Sequence, residues 1–134
     1  MTRVLALDYG SARCGCALSD PTGTLATPIE VVERPGTRRG TARILGLVRE
    51  HGVGRVVVGL PLGLSGGDTP QTREARAFAE RLAERLGGRV PVELYDERFT
   101  TSIAARSGGA STAEDSRAAA VLLGDWLAAR GGGE

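Results

Sequence analysis

Lysine is absent from this 134-residue chain, and all 17 basic residues are arginines. Codon bias is the simplest explanation for that absence, although arginine also suits bidentate contacts with phosphate groups. The formal net charge is only +1, so no global electric field indicates a nucleic-acid-binding protein. Any contact with phosphates must therefore come from a few locally placed arginines.

Cysteine and histidine are also scarce, with two and one residues respectively. Cys14 and Cys16 lie two positions apart, so on a strand both point to the same face. They cannot form a disulfide framework, and we expect a reduced, cytosolic protein. The same counts argue against a zinc site built from cysteine and histidine ligands.

Long apolar runs are missing as well. No run approaches the ~20 residues that span a bilayer, and the N-terminus lacks a basic-then-apolar signal pattern. Membrane insertion and ordinary secretion are therefore not expected. At about 150 residues per domain, the chain predicts one domain over residues 1–130, followed by a flexible Gly-rich tail over 131–134.

The apolar pattern predicts a mixed α/β domain with five strands. Three consecutive β-branched residues, Val56 to Val58, are typical of a central parallel strand that is covered on both faces. Pro28 places the third strand at a sheet edge, and Thr69 before Pro70 predicts a helix N-cap. Strands are expected over 4–8, 14–19, 27–33, 55–60 and 90–95. Helices are expected over 38–51, 70–86, 101–106 and from Ser111 to about Arg130.

Glu74, Glu80 and Glu84 are interpreted as solvated charges of a predicted helix, but four other acidic residues differ from them. Asp8 ends the first strand, and Asp96 and Glu97 end the fifth. Ligand sites of open α/β sheets lie beyond the carboxyl ends of parallel strands. If the first and fifth strands are parallel in one sheet, these acids share an edge.

Asp115 is the fourth acidic residue. Ala119, Leu122 and Trp126 follow it at helical spacing and form the apolar stripe of the last helix. A carboxylate at the start of that stripe is costly unless it is paired or metal-bound. The alternative is an ordinary first-turn aspartate that the helix dipole favours.

Converging carboxylates without a histidine ligand are typical of a hard-cation site for Mg²⁺ or Mn²⁺. Such ions can stabilise both the attacking and the leaving oxygen of a phosphodiester displacement. The residues alone therefore predict metal-dependent phosphoryl-transfer chemistry, with a nuclease as the favoured form.

Four motifs in sequence order resemble those of the YqgF/RuvX family and together cover nearly the whole chain. They are Leu7-Asp8-Tyr9-Gly10 with Arg13, Gly15 and Ser19-Asp20; Val58-Gly59-Leu60-Pro61-Leu62; Asp96-Glu97-Arg98-Phe99-Thr100-Thr101; and Asp115-Ser116-x-Ala118-Ala119. The resemblance implies a ribonuclease H-like fold, in which a mixed five-stranded sheet is flanked by helices. It also implies a Holliday junction resolvase-like nuclease that processes the 5′ end of pre-16S rRNA.

The resemblance further implies catalytic and metal-binding roles for Asp8, Glu97 and Asp115, with Asp96 as a second-tier candidate. Arg13 is assigned to a substrate phosphate, and Arg98 either to a phosphate or to an ion pair. Nucleic acid is the expected partner, with pre-16S rRNA preferred over branched DNA, and the protein is expected to be a monomer or a weak homodimer.

Three alternatives compete with this interpretation, of which the second does not fit the length of the chain. One is a Holliday junction resolvase acting on DNA. Another is an actin-like ATPase, which needs a second lobe that 134 residues do not hold. The third is a non-catalytic, ribosome-associated nucleic-acid-binding module, because residues 109–114 contain no basic residue where the family usually has one.

Overall fold

The computed structural model describes residues 3–60, 67–96 and 112–131, and in the last range it describes side chains from Ser116 to Arg130. The strands are β1 (Arg3–Asp8), β2 (Arg13–Ser19), β3 (Ala26–Glu33), β4 (Val53–Leu60) and β5 (Val92–Asp96). The helices are α1 (Arg38–Glu50), α2 (Pro70–Leu86) and α3 (Thr112–Gly131). The helix predicted over 101–106 and the Ser111 cap lie outside the described residues.

The strands form one mixed five-stranded sheet in the order β3-β2-β1-β4-β5. β1 pairs antiparallel with β2, whereas β4 is parallel to both β1 and β5. The central position of β4 is confirmed, since Val56, Val57 and Val58 are all fully buried. β3 is an edge strand as Pro28 predicted, and its register shifts next to that proline.

Helices cover both faces of the sheet, as the alternation of side chains along each strand requires. Leu5 and Leu7 of β1 pack in one core cluster with residues of α1 and α2. Val4 and Ala6 belong to the other cluster, together with Trp126 and other apolar residues of α3. The α3 face of β1 therefore carries the even-numbered residues, which include Asp8.

The start of α2 follows from its capping residues. The Thr69 side chain accepts a hydrogen bond from the Thr72 backbone N–H, and the Thr72 hydroxyl accepts one from the Thr69 N–H. Pro70 has no N–H that needs a partner at this position. The helix ends at Gly87, which has a left-handed φ of 63°. Its predicted stripe is confirmed as buried at Ala75, Phe78, Ala79, Leu82 and Leu86.

Several strand and helix ends differ from the predicted ones by one or two residues; β4, for example, begins at Val53 rather than at residue 55. β5 begins at Val92 rather than at residue 90, because Pro91 has no N–H to donate and instead accepts a hydrogen bond from Val56 through its carbonyl. α3 extends to Gly131, one residue past its predicted end. Within the described ranges, no helix is both long and apolar enough to span a lipid bilayer.

Asp20 organises the turn between β2 and β3. Its carboxylate accepts hydrogen bonds from the backbone N–H groups of Thr24 and Leu25, at 2.9 and 3.0 Å, and from the Thr22 hydroxyl. These bonds, led by the one from Leu25, hold the pKa of Asp20 well below its ordinary value of 3.8. This residue of the first motif therefore has a structural role.

Asp20→Asn is expected to lower the thermal midpoint at neutral pH, because an amide accepts these hydrogen bonds more weakly than a carboxylate. A lowered folded-state pKa means that the stabilisation is present above about pH 4 and declines as the pH falls further. The difference in thermal midpoint between wild type and Asp20→Asn should therefore become smaller below pH 4. Asp68→Asn, which removes only an exposed ion pair with Arg76, should change little at either pH. A difference in thermal midpoint between wild type and Asp20→Asn that stays constant with pH would contradict stabilisation by the ionised carboxylate.

Candidate active site

Asp8 lies at the carboxyl end of β1 and is buried, with only 4% of its surface exposed. Its cross-strand partner is Gly15 of β2. Paired residues of an antiparallel ladder lie on the same face of the sheet, so the β2 neighbour of the Asp8 carboxylate is a residue without a side chain. The fold thus holds a nearly buried acidic group at the end of a strand.

A cleft of about 290 Å³ opens at this carboxylate. Besides Asp8, its lining residues are Tyr9, Gly10, Ser11, Ala12, Arg13 and Gln71. The turn between β1 and β2 requires a glycine, because a Cβ atom at Gly10 would lie 2.8 Å from the Arg13 carbonyl oxygen. This tight turn brings the Arg13 side chain to the same cleft as the Asp8 carboxylate.

β5 ends at the same edge of the sheet as β1, separated from it by β4 alone. The predicted parallel arrangement of the two strands is therefore confirmed. Glu93 and Tyr95 bond to α3, which places them on the α3 face. Asp96 consequently lies on the opposite face from Asp8. Glu97 and Arg98 lie outside the described residues.

α3 is fixed to β5 by polar contacts. The Tyr95 hydroxyl donates to Asp125 at 2.7 Å, and Trp126 Nε1 donates to Glu93 at 2.8 Å. The bond to the Asp125 carboxylate, with burial, raises the pKa of Tyr95 to about 12. Glu93 also forms an ion pair with Arg55 of β4 at 2.9 Å.

Asp115 occupies the first turn of α3, on the face of the sheet that also carries Asp8. The apolar stripe predicted to follow it is confirmed, since Ala119, Leu122 and Trp126 are all buried. The side chain of Asp115 is outside the described part of the structure. Among the side chains that are described, no three His, Cys, Asp or Glu residues form a metal-ligand group.

Tyr95→Phe is expected to lower the free energy of unfolding by about 1 kcal/mol, because Asp125 loses a hydrogen-bond donor at a half-buried position. Urea denaturation in EDTA would measure the change without any contribution from bound metal. Tyr9→Phe is the matched control, since its hydroxyl bond to the exposed Glu74 is longer, at 3.3 Å. A larger loss of unfolding free energy for Tyr9→Phe than for Tyr95→Phe would contradict a stabilising role of the Tyr95–Asp125 hydrogen bond.

Two residues near the cleft were not recognised from the sequence. Tyr9 packs against Phe78 of α2, with ring centroids 4.7 Å apart, and its hydroxyl donates to Glu74. Burial raises the pKa of Tyr9, and the Glu74 carboxylate adds to this shift. Glu74 was interpreted as a solvated helix charge, because its position on α2 is exposed. The position of Tyr9 directly after Asp8 was the available signal.

The sequence matches the RuvX family, described as Holliday junction resolvase, over residues 2–129. A protein from Anaeromyxobacter named "Putative pre-16S rRNA nuclease" is 45% identical, with 96% of this chain and 98% of that protein covered. A protein of the same name from Mycobacteroides abscessus is 44% identical, over 96% of this chain and 82% of that protein.

Solved structures confirm the ribonuclease H-like fold class. Thermus thermophilus RuvC in complex with a Holliday junction superposes with a TM-score of 0.63 at 18% identity, covering 98% of this chain and 97% of that one. The yeast mitochondrial Holliday junction resolvase gives a TM-score of 0.57 at 12% identity, over 94% and 78% of the two chains. At these identities the comparison concerns the fold alone.

Proposed function

Because the chain belongs to the RuvX family, we propose that it is a metal-dependent endonuclease that processes the 5′ end of pre-16S rRNA in the cytoplasm. The observation that carries this proposal is the nearly buried Asp8 carboxylate, which shares a cleft with Arg13 at the carboxyl ends of parallel strands. The pre-16S rRNA substrate is taken from the names of the relatives.

The chemistry of Asp8 fits a hard cation. Asp8 is nearly buried and lines an open cleft at a strand end, and its carboxylate oxygens are the ligand type that Mg²⁺ and Mn²⁺ prefer. We assign Asp115 and Glu97 as its fellow ligands. Asp96 is the weaker candidate, because it has the opposite parity to Tyr95 and therefore lies on the face of the sheet away from α3 and Asp8.

In this proposal the bound metal and two arginines have separate roles in catalysis. A bound divalent ion supplies stabilisation of charge on the phosphodiester oxygens and lowers the pKa of a coordinated water. Arg13 would hold the substrate phosphate in the cleft through its planar, forked guanidinium. Arg98, next to Glu97 in sequence, is proposed to contact the phosphate backbone.

A Holliday junction resolvase acting on DNA is the second candidate, and the family description together with the RuvC-like fold favours it. Both candidates use the same cleft and the same carboxylates. They differ in the sugar and in the branching of the substrate.

A cleavage assay tests the proposal and separates the two candidates. The purified protein is incubated with a 5′-leader pre-16S RNA or with a four-way DNA junction, in Mg²⁺, Mn²⁺ or EDTA. We expect metal-dependent cleavage of the RNA and slower cleavage of the junction. Junction cleavage alone would support the resolvase, and binding without cleavage of either substrate would favour the non-catalytic module.

A further inference from the structure

A second cavity, of about 360 Å³, adjoins the Asp8 cleft. Its lining residues are Tyr9, Ser11, Ala12, Arg34, Gly36, Thr37 and Glu74. Tyr9, Ser11 and Ala12 line both cavities, so the turn between β1 and β2 forms their common wall. Only this turn separates the two cavities, so a strand of nucleic acid bound beside Asp8 can reach the second cavity around the end of β1.

The polar groups of the cavity are of two kinds. The Glu74 carboxylate accepts a hydrogen bond from the Tyr9 hydroxyl at 3.3 Å and can accept several more. Arg34 adds a cationic side chain at the rim. A Cβ atom at Gly36 would be in van der Waals contact, at 3.4 Å, with both the Tyr9 hydroxyl and an Arg81 nitrogen, so Gly36 lies directly beside these polar atoms.

A carboxylate beside a hydroxyl group and an arginine suits one particular part of a nucleotide. The negative charge of Glu74 disfavours a phosphate and favours a neutral group that can donate a hydrogen bond. The ribose 2′-hydroxyl is such a donor and also an acceptor, and it is the group that distinguishes RNA from DNA. Carboxylates bind the same hydroxyl in dinucleotide-binding folds. Arg34 at the rim suits a flanking phosphate.

We infer that the cavity between the β1–β2 turn and α2 is a ribonucleotide subsite, in which the paired side chains of Tyr9 and Glu74 bind a ribose 2′-hydroxyl next to the scissile phosphate. The inference rests on the proposed function, since it takes the Asp8 cleft as the position of that phosphate. It adds a source of RNA preference that lies outside the carboxylate site.

Equilibrium binding in EDTA at one fixed salt concentration tests the subsite without requiring cleavage. The probes are a single-stranded oligoribonucleotide, its all-deoxy counterpart and its 2′-O-methyl counterpart, each labelled for fluorescence anisotropy. Wild type should bind the ribonucleotide about tenfold more tightly than either analogue, the effect of one hydrogen bond to a charged group. The 2′-O-methyl probe keeps the RNA-like shape but cannot donate, so it separates hydrogen bonding from shape recognition.

Glu74→Ala should reduce the RNA-to-DNA affinity ratio to about one. Loss of its negative charge raises affinity for both probes alike, so the ratio isolates the hydroxyl contact. Glu80→Ala, which removes another exposed acidic residue of α2, is the matched control and should keep the wild-type ratio.

Two results would overturn the subsite: a ratio that persists in Glu74→Ala, or 2′-O-methyl RNA that binds wild type as tightly as RNA. Failure of the proposed function is a separate result, namely a wild-type protein that cleaves neither substrate with Mg²⁺ or Mn²⁺. The binding ratio in EDTA does not depend on that outcome.

Discussion

Asp8→Asn is expected to reduce the cleavage rate by more than about a hundredfold, the upper end of the losses caused by changes around metal ligands. The amide is nearly the same size as the carboxylate, so the packing at the end of β1 is retained, but it is a poorer ligand for a hard cation. Single-turnover rates at saturating Mn²⁺ would measure the loss. RNA binding should change little, because the arginine contacts to phosphates remain.

The same variant gives a second readout that does not depend on activity. Millimolar Mn²⁺ should raise the thermal midpoint of wild type, since a ligand that binds only the folded state stabilises it by mass action. In Asp8→Asn the midpoint should not rise. Asp68→Asn, whose side chain forms an exposed ion pair with Arg76, is the control and should respond like wild type. Equal rises in Asp8→Asn and wild type would place the ion elsewhere.

The parts of the fold that sequence predicted are those with a local physical cause. Val56 to Val58 indicated a strand buried on both faces, because three β-branched residues in a row suit neither a solvated strand face nor a turn. Thr69 and Pro70 indicated the start of α2 through an N-cap that needs only neighbouring backbone groups. The position of Asp8 at a strand end followed from the apolar run before it.

The contacts that sequence did not predict join residues far apart in the chain. The Tyr95–Asp125 and Glu93–Trp126 bonds link residues about thirty positions apart, and neither pair has a local signature. Glu74 is exposed on α2 and lies beside the turn between β1 and β2. Helical spacing predicts that such a residue is exposed, but it does not reveal which other part of the chain lies next to it. Such assignments require the arrangement of β1 against α2.

Asp115→Asn is the second change with a large expected effect. We predict that it removes nuclease activity while leaving the metal-free protein as stable as wild type, or slightly more stable. The position lies in the first turn of α3, one turn before the fully buried Ala119 and on the sheet face that carries Asp8. In the proposed ligand set, the carboxylates of Asp8, Glu97 and Asp115 would repel each other and lose hydration in the absence of metal. An amide relieves both effects.

One opposing effect limits the gain in stability. A carboxylate in the first turn of a helix interacts favourably with the helix dipole, by ~0.3–1 kcal/mol, and the amide loses part of that interaction. The net change in EDTA should therefore be small or favourable. With metal present the sign reverses, because the neutral amide binds a hard cation more weakly.

Two measurements on Asp115→Asn distinguish a ligand from a helix cap. Urea denaturation in EDTA gives the metal-free stability, and cleavage rates at saturating Mn²⁺ give the catalytic effect. A metal ligand predicts unchanged or raised stability with cleavage strongly reduced, and RNA affinity largely kept by the arginine contacts. A structural cap predicts the reverse: a stability loss greater than ~1 kcal/mol with near-normal cleavage. That second result would remove Asp115 from the proposed ligand set and leave Asp8 to act with Glu97 at the ends of the parallel strands.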